Sequence, residues 1–232
     1  MPPSTIYLEG EYLAKNPQWH VEESPWKASQ VLHMLRQNHL NPKTICDVGC
    51  GAGEVLSQLQ RHLNQECVFW GYDISPQALS LAQGRANERL HFEQADFQTE
   101  NDAAFDLILV LDVIEHLEDY WSFLRRLKSR SHYKIFHVPL DLSVQTVFRQ
   151  NALLKRRDLY AHLHYFTKET ALRTLRDAGY EILDYFYTLR SIEFVSEFGE
   201  IVLRLPRKLC FALHKDFAAR LLGGFSLLIL AR

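Results

Sequence analysis

Thr44-Ile45-Cys46-Asp47-Val48-Gly49-Cys50-Gly51-Ala52-Gly53-Glu54 decides how this chain is read. A short apolar run meets an acid, three glycines alternate, and a helical pattern begins at Glu54. The spacing predicts strand, tight turn, helix. Glycine serves where a backbone takes positive φ or lets a ligand approach, so the turn is open for a ligand. The first free N–H groups of the helix, the positive end of its dipole, point at that opening and suit an anionic group such as a carboxylate or phosphate. A dinucleotide fingerprint, G-x-G-x-x-G, would need glycine where Glu54 stands. The missing third glycine speaks against a nicotinamide-dependent oxidoreductase.

Outward from this stretch, Cys67 to Asp73 reads as a second strand ending in an acid, twenty positions past Gly53. Ser75-Pro76 then starts a helix. Leu90 to Gln94 alternates apolar with polar, as a strand with one wet face does, and leads into Ala95-Asp96-Phe97. Phe105 to Leu111 is almost wholly apolar, which fits a central parallel strand buried on both faces, with Asp112 at its carboxyl end. Leu117, Trp121 and Leu124 share one face of the helix that follows, and Tyr133 to Val138 gives a fifth strand carrying His137. A helix is read over Leu142 to Leu153. Thr167 caps another that stops at Gly179. Tyr180 to Thr188 mixes in Glu181 and Asp184, as an edge strand would, whereas Phe225 to Ala231 is nearly continuous Leu and Ile.

Asp47-Val48-Gly49-Cys50-Gly51-Ala52-Gly53 resembles the first motif of class I S-adenosylmethionine-dependent methyltransferases, whose loop holds the methionine end of the cofactor. The resemblance implies a doubly wound, Rossmann-like α/β fold with a seven-stranded sheet in the order 3-2-1-4-5-7-6 and strand 7 antiparallel. The polar edge strands and the apolar last strand agree with that order. It implies a cofactor site of Asp47, Gly49, Cys50, Gly51, Gly53, Asp73 with Ile74 beside it, Asp96, Phe97 and Asp112, with Asp73 on the ribose and Asp96 and Phe97 at the adenine. Val113-Ile114-Glu115-His116-Leu117 resembles the motif after the family's fourth strand, and His162-Leu163-His164-Tyr165-Phe166-Thr167 the stretch before its last crossover helix. In that arrangement the histidines of the latter stretch lie near methyl transfer.

A hydroxyl or protonated-amine acceptor needs a base, and histidine suits by its pKa. The candidates are His116, His137, His162 and His164, with His20 further upstream. His162 and His164 also form an H-x-H pair of ligand-type residues, but without an assigned carboxylate partner, so no metal is expected. Where methyltransferases acting on amide or adenine nitrogens carry Asn/Asp-Pro-Pro-aromatic, this chain has Asp112-Val113-Ile114-Glu115, and no Pro-Cys nucleophile follows the fourth strand. The expected acceptor is therefore a small molecule methylated on oxygen or nitrogen. The alternatives are a regulatory protein that binds the cofactor without turnover and a methyltransferase acting on a lipid or macromolecule.

The 232 residues are read as one domain: an N-terminal helical arm over 1–40, a core sheet over 41–188, a helical insertion over 189–224 and the final strand over 225–232. The arm's Tyr7, Tyr12, Trp19, His20 and Trp26 form either a lid over a substrate or a satellite cluster. In the insertion, Leu209, Leu213, Phe217 and Leu221 make an apolar row flanked by basic residues. Over 203–222 that row either covers the fold or touches a membrane surface. A net charge of -2 offers no general field for nucleic acid. Neither a secretory leader nor a spanning segment is expected, and four cysteines without metal-type spacing fit a reduced, cytoplasmic setting.

Overall fold

The computed structural model describes residues 5–16, 19, 21–97, 104–189 and 198–232. Strands β1 (Thr44–Val48), β2 (Val68–Asp73), β3 (Leu90–Gln94), β4 (Phe105–Leu111), β5 (Ser131–Pro139), β6 (Ile182–Thr188) and β7 (Ser226–Ala231) form one sheet. Its order is β3-β2-β1-β4-β5-β7-β6. The first five run parallel, and β7 lies antiparallel to both β5 and β6. Every residue of β7 is buried, while β6 at the edge is exposed or half-buried as far as Tyr187 and buried only at Thr188, as their polarities foretell.

Helices cover both faces. Preceding β1 are α1 (Thr5–Leu8), α2 (Glu11–Lys15) and α3 (Ser24–Gln37), the last with proline in its first turn and Ala28, Val31, Leu32 and Leu35 turned inward. Next come α4 (Glu54–His62), α5 (Pro76–Gln83), started by the Ser75 side chain accepting from the Ala78 N–H, and α6 (Tyr120–Leu127). After β5 come α7 (Val144–Phe148), α8 (Ala152–Tyr160) and α9 (Lys168–Asp177), and before β7 lie α10 (Phe198–Leu213) and α11 (Lys215–Leu222). Two apolar layers result. Helices α3 and α4 pack on one face of the sheet, and α6 and α9 on the other.

Three local expectations are corrected. The helix read over Leu142 to Leu153 is two helices: Arg149 leaves helical geometry and Asn151 takes φ 65°, a conformation asparagine tolerates. The row Leu209, Leu213, Phe217, Leu221 does not lie on one helix, because His214 is extended and its Nδ1 accepts the Phe217 N–H, restarting the helix. Helix α6 begins only at Tyr120, capped by Asp119, so it buries Phe123, Leu124 and Leu127, while Leu117 precedes it and Trp121 is half-buried.

Candidate active site

The turn after β1 is pinned to the end of β2. The N–H groups of Gly49 and Cys50 donate to the Tyr72 carbonyl at 2.8 and 3.0 Å, and the Gly51 N–H donates to Asp73 Oδ2 at 2.8 Å. Asp73 Oδ1 accepts from the Ser75 N–H at 2.8 Å. The carboxylate is thereby fixed in the rim beside the turn. Gly51 sits at φ 55° with the Trp19 ring against it, so close that a Cβ would fall 2.6 Å from the ring. Gly53 faces away from the opening and packs on Phe92, with φ 76° as the cap of α4.

Beyond the carboxyl ends of the strands lie two cavities. The larger, of about 490 Å³, is lined by Gly49, Tyr72, Asp73, Ile74, Asp96 and Phe97, with Tyr7, Tyr12 and Trp19 of the arm along one side. The smaller, of about 170 Å³, is lined by Asp47, Cys50, Gly51, Lys27, Glu115, Asp141, Arg156 and His162. Gly49, Asp112 and His116 belong to both, as do Tyr12 and Trp19. The cavities therefore meet at the end of β4.

Electrostatics at that junction are set by burial. Asp112, at φ 57°, holds an ion pair with Lys27 Nζ at 2.6 Å and bonds His137 Nδ1 at 2.6 Å. Burial alone would raise its pKa, but His137 and Lys27 override it and hold the carboxyl well below the usual range. Asp47 lies deeper, its Oδ1 accepting no hydrogen bond among the described residues. Burial pushes it up to about 8 against the attraction of Lys27, with Asp73 adding repulsion. Burial likewise raises Asp73, against the N–H groups that bond it.

Of the four histidines, two converge. His116 Nδ1 lies 3.2 Å from the Ala161 carbonyl and 3.2 Å from the Tyr7 hydroxyl; a carbonyl only accepts, so Nδ1 carries the proton and Nε2 a lone pair. Burial, reinforced by His162, pushes His116 down to about 4. His162 Nδ1 bonds Asp141 Oδ2 at 2.5 Å, and Asp141 Oδ1 pairs with Arg156 at 3.0 Å. Glu115 is fully buried beside them, and burial, with Asp112 and Asp141 nearby, holds its carboxyl well above the usual range. The segments are tied by backbone, since the Leu163 and His164 N–H groups both donate to the Glu115 carbonyl. His137 and His164 are engaged elsewhere. His137 is 2% exposed with Nε2 on Thr188 Oγ1 at 2.8 Å, and His164 Nε2 donates to the Leu117 carbonyl at 2.8 Å. His20 lies outside the described residues.

Sequence reasoning passed over Lys27, Glu115, Asp141 and Arg156. Only Glu115 left a local signal, an acid beside a histidine just after an apolar strand.

A family model described as a methyltransferase domain matches residues 21–185. The chain therefore belongs to this family, the class I S-adenosylmethionine-dependent methyltransferases. Among its relatives, ajmaline N-methyltransferase of Rauvolfia serpentina is 33% identical over 93 residues, which is 37% of this chain and 31% of the relative. The ubiquinone biosynthesis O-methyltransferase of Azorhizobium caulinodans is 37% identical over 87 residues, 35% of this chain and 33% of the relative. The chain thus spans about a third of the length of the curated relatives it matches. A crystal structure of magnesium protoporphyrin IX methyltransferase from Synechocystis PCC 6803 with bound SAH shares the fold at TM-score 0.59 and 19% identity, over 89% of this chain and 82% of that one.

The residues present fit the family's cofactor. Gly49 of the turn borders both cavities, the buried Asp47 Oδ1 without a hydrogen bond would suit an ammonium, and Asp73 is fixed at the rim of a cavity wide enough for a nucleoside.

Proposed function

We propose that this chain forms a single methyltransferase domain that holds S-adenosylmethionine with its nucleoside in the larger cavity and its amino-acid end at the turn lining the smaller one, and that it methylates an oxygen or nitrogen of a small molecule seated in the rest of the smaller cavity. The observation that carries the reading is the meeting of the two cavities at Gly49, Asp112 and His116. When bound, the cofactor supplies a methyl already made electrophilic by its sulfonium. What the chain has to add is chiefly placement, which can contribute much of the acceleration.

Each residue has a part. Asp47 and the turn around Gly49, Cys50 and Gly51 take the amino-acid end. Asp73 accepts from the ribose hydroxyls, with Ile74 alongside, while Asp96 and Phe97 receive the base. Asp112, kept ionised by Lys27 and His137, sets the charge at the junction. The Nε2 of His116, unprotonated near neutral pH, is placed to accept a hydrogen bond from an acceptor O–H or N–H. His137 and His164 act as struts, the first orienting Asp112 and the second the loop at Leu117. The relatives include both N- and O-methyltransferases, so the acceptor atom is left as oxygen or nitrogen. Free cysteines, three of them buried, suit a reducing cytoplasm.

A lipid-like acceptor is the second reading, favoured by Leu205, Leu209, Leu213 and Phe217, which stand exposed on α10 and α11 beside Arg204, Lys208 and Lys215. No helix among the described residues is long and apolar enough to cross a membrane. Labelled methyl from S-adenosylmethionine, offered with a fractionated cell extract, tests both readings. Label in aqueous small molecules is expected, with none above background for Asp73→Ala. Label in the lipid fraction would select the second reading, and label in acid-precipitable material would overturn both.

A further inference from the structure

Glu115 raises a question that methyl transfer does not answer. Its side chain is fully buried, yet neither carboxyl oxygen accepts a hydrogen bond among the described residues. A buried carboxyl left this way costs several kcal/mol unless something else meets it. Its neighbours are two imidazoles. One ligand atom from each of Glu115, His116 and His162 lies within 4.8 Å of the others, and His116 Nε2 is 3.9 Å from Glu115 Oε1. Each imidazole has its Nδ1 occupied from behind, His116 by the Ala161 carbonyl and His162 by the Asp141 carboxylate, which leaves Nε2 with its lone pair. An outer carboxylate or carbonyl fixing the tautomer in this manner is how proteins prepare histidine to ligate a metal. The nearby cations do not oppose a third charge, because Lys27 is paired with Asp112 and Arg156 with Asp141.

We propose that Glu115, His116 and His162 bind one borderline divalent transition-metal cation of the zinc or cobalt type, facing the smaller cavity so that an oxygen or nitrogen of the acceptor can complete its coordination. Two imidazoles and one carboxylate are a donor set for such ions rather than for calcium or magnesium, which take oxygen. Metal–ligand bonds of about 2.1 Å put tetrahedral ligands roughly 3.4 Å apart, so donors within 4.8 Å of one another need to close by at most about 1.4 Å. The position at the end of β4 explains why the cluster is built from both flanks of the cavity: Glu115 and His116 arrive from the strand end, and His162 from the stretch before α9. The binding stands on the cluster alone; the acceptor's share in it rests on the transferase reading, and with the ion bound the lone pair of His116 Nε2 goes to the metal, so the acceptor meets the ion in place of that nitrogen.

Cobalt(II) titrated into the metal-free full chain provides the test, read by visible absorption and by equilibrium dialysis with zinc as competitor. One ion per chain, a spectrum of four- or five-coordinate cobalt, and displacement by zinc are expected. Glu115→Gln and His162→Ala should each weaken binding at least tenfold, and Asp141→Asn should weaken it 10- to 100-fold by loosening the His162 ring. Isothermal titration with S-adenosylhomocysteine on the same variants separates folding from ligation, since neither Glu115 nor His162 is among the residues assigned to the cofactor and its affinity should hold within about twofold. Wild-type protein that binds no cobalt overturns the proposal, as does binding that all three variants keep. Neither result touches the transferase reading, which would fail on loss of S-adenosylhomocysteine binding by the wild type.

Discussion

Asp47 is the most expensive residue of the proposed cofactor site, for it is enclosed, lacks a hydrogen bond on Oδ1, and titrates near 8. A carboxyl in the unfolded chain titrates near 4. The folded protein therefore holds a proton here that the unfolded chain has released. The contribution of this group to stability is full below about pH 4 and is lost as pH rises toward 8. Asp47→Asn should remove that dependence. Its stability is expected to exceed that of wild type at pH 8 by about 1–3 kcal/mol, a melting temperature higher by roughly 2–10 °C, with the gap closing toward pH 4. A gap independent of pH would contradict the assignment. The same variant should bind S-adenosylhomocysteine more weakly, because the ammonium loses its counter-charge. At this scale the sequence was partly legible. Glycines 49, 51 and 53 and the acids at strand ends announce themselves through neighbours in the chain. Lys27, Asp141 and Arg156 could not, since each meets its partner only after packing brings together segments far apart in sequence.

Among the elements, the N-terminal arm carries the clearest consequence. Tyr7 and Tyr12 have ring centroids 4.9 Å apart, Tyr12 and Trp19 5.0 Å, and the chain is anchored where Gln77 donates to the Leu8 carbonyl at 3.1 Å. All three rings line the larger cavity, and Tyr12 and Trp19 the smaller one as well. They also touch the site chemically, through Tyr7 on His116. Removing residues 1–16 should therefore raise the S-adenosylhomocysteine dissociation constant about tenfold, the loss of one or two aromatic contacts at roughly 0.5–1.5 kcal/mol each, while the melting temperature changes little. Unchanged affinity would reduce the arm to packing. Sequence alone left lid and satellite cluster undecided because aromatic density does not say which surface it meets. Element boundaries misled for a similar reason. His214 as a helix cap and Asn151 at positive φ interrupt apolar rows that otherwise keep helical spacing, and neither carries the glycine or proline that usually marks a break.

For the molecule as a whole, strand order was the most legible feature. A fully buried, mostly apolar β7 and a largely half-exposed β6 cannot exchange places without exposing one and burying the charge of the other, so composition restricts which strand is central. The acceptor was least legible, because the smaller cavity proposed to hold it is assembled from α3, the turn after β1, the end of β4 and the stretch before α9, whose spacing in sequence carries no common pattern. The central claim is that this assembly holds S-adenosylmethionine at the junction of two cavities. Calorimetric titration with S-adenosylhomocysteine tests it most directly, with NAD as the comparison ligand and Asp73→Ala as the control variant. The account expects saturable binding of one ligand per chain, no heat from NAD, and affinity reduced about 10- to 100-fold in the variant, the loss of one or two hydrogen bonds to a charged group. No binding by the wild type, or binding that Asp73→Ala keeps in full, would contradict it.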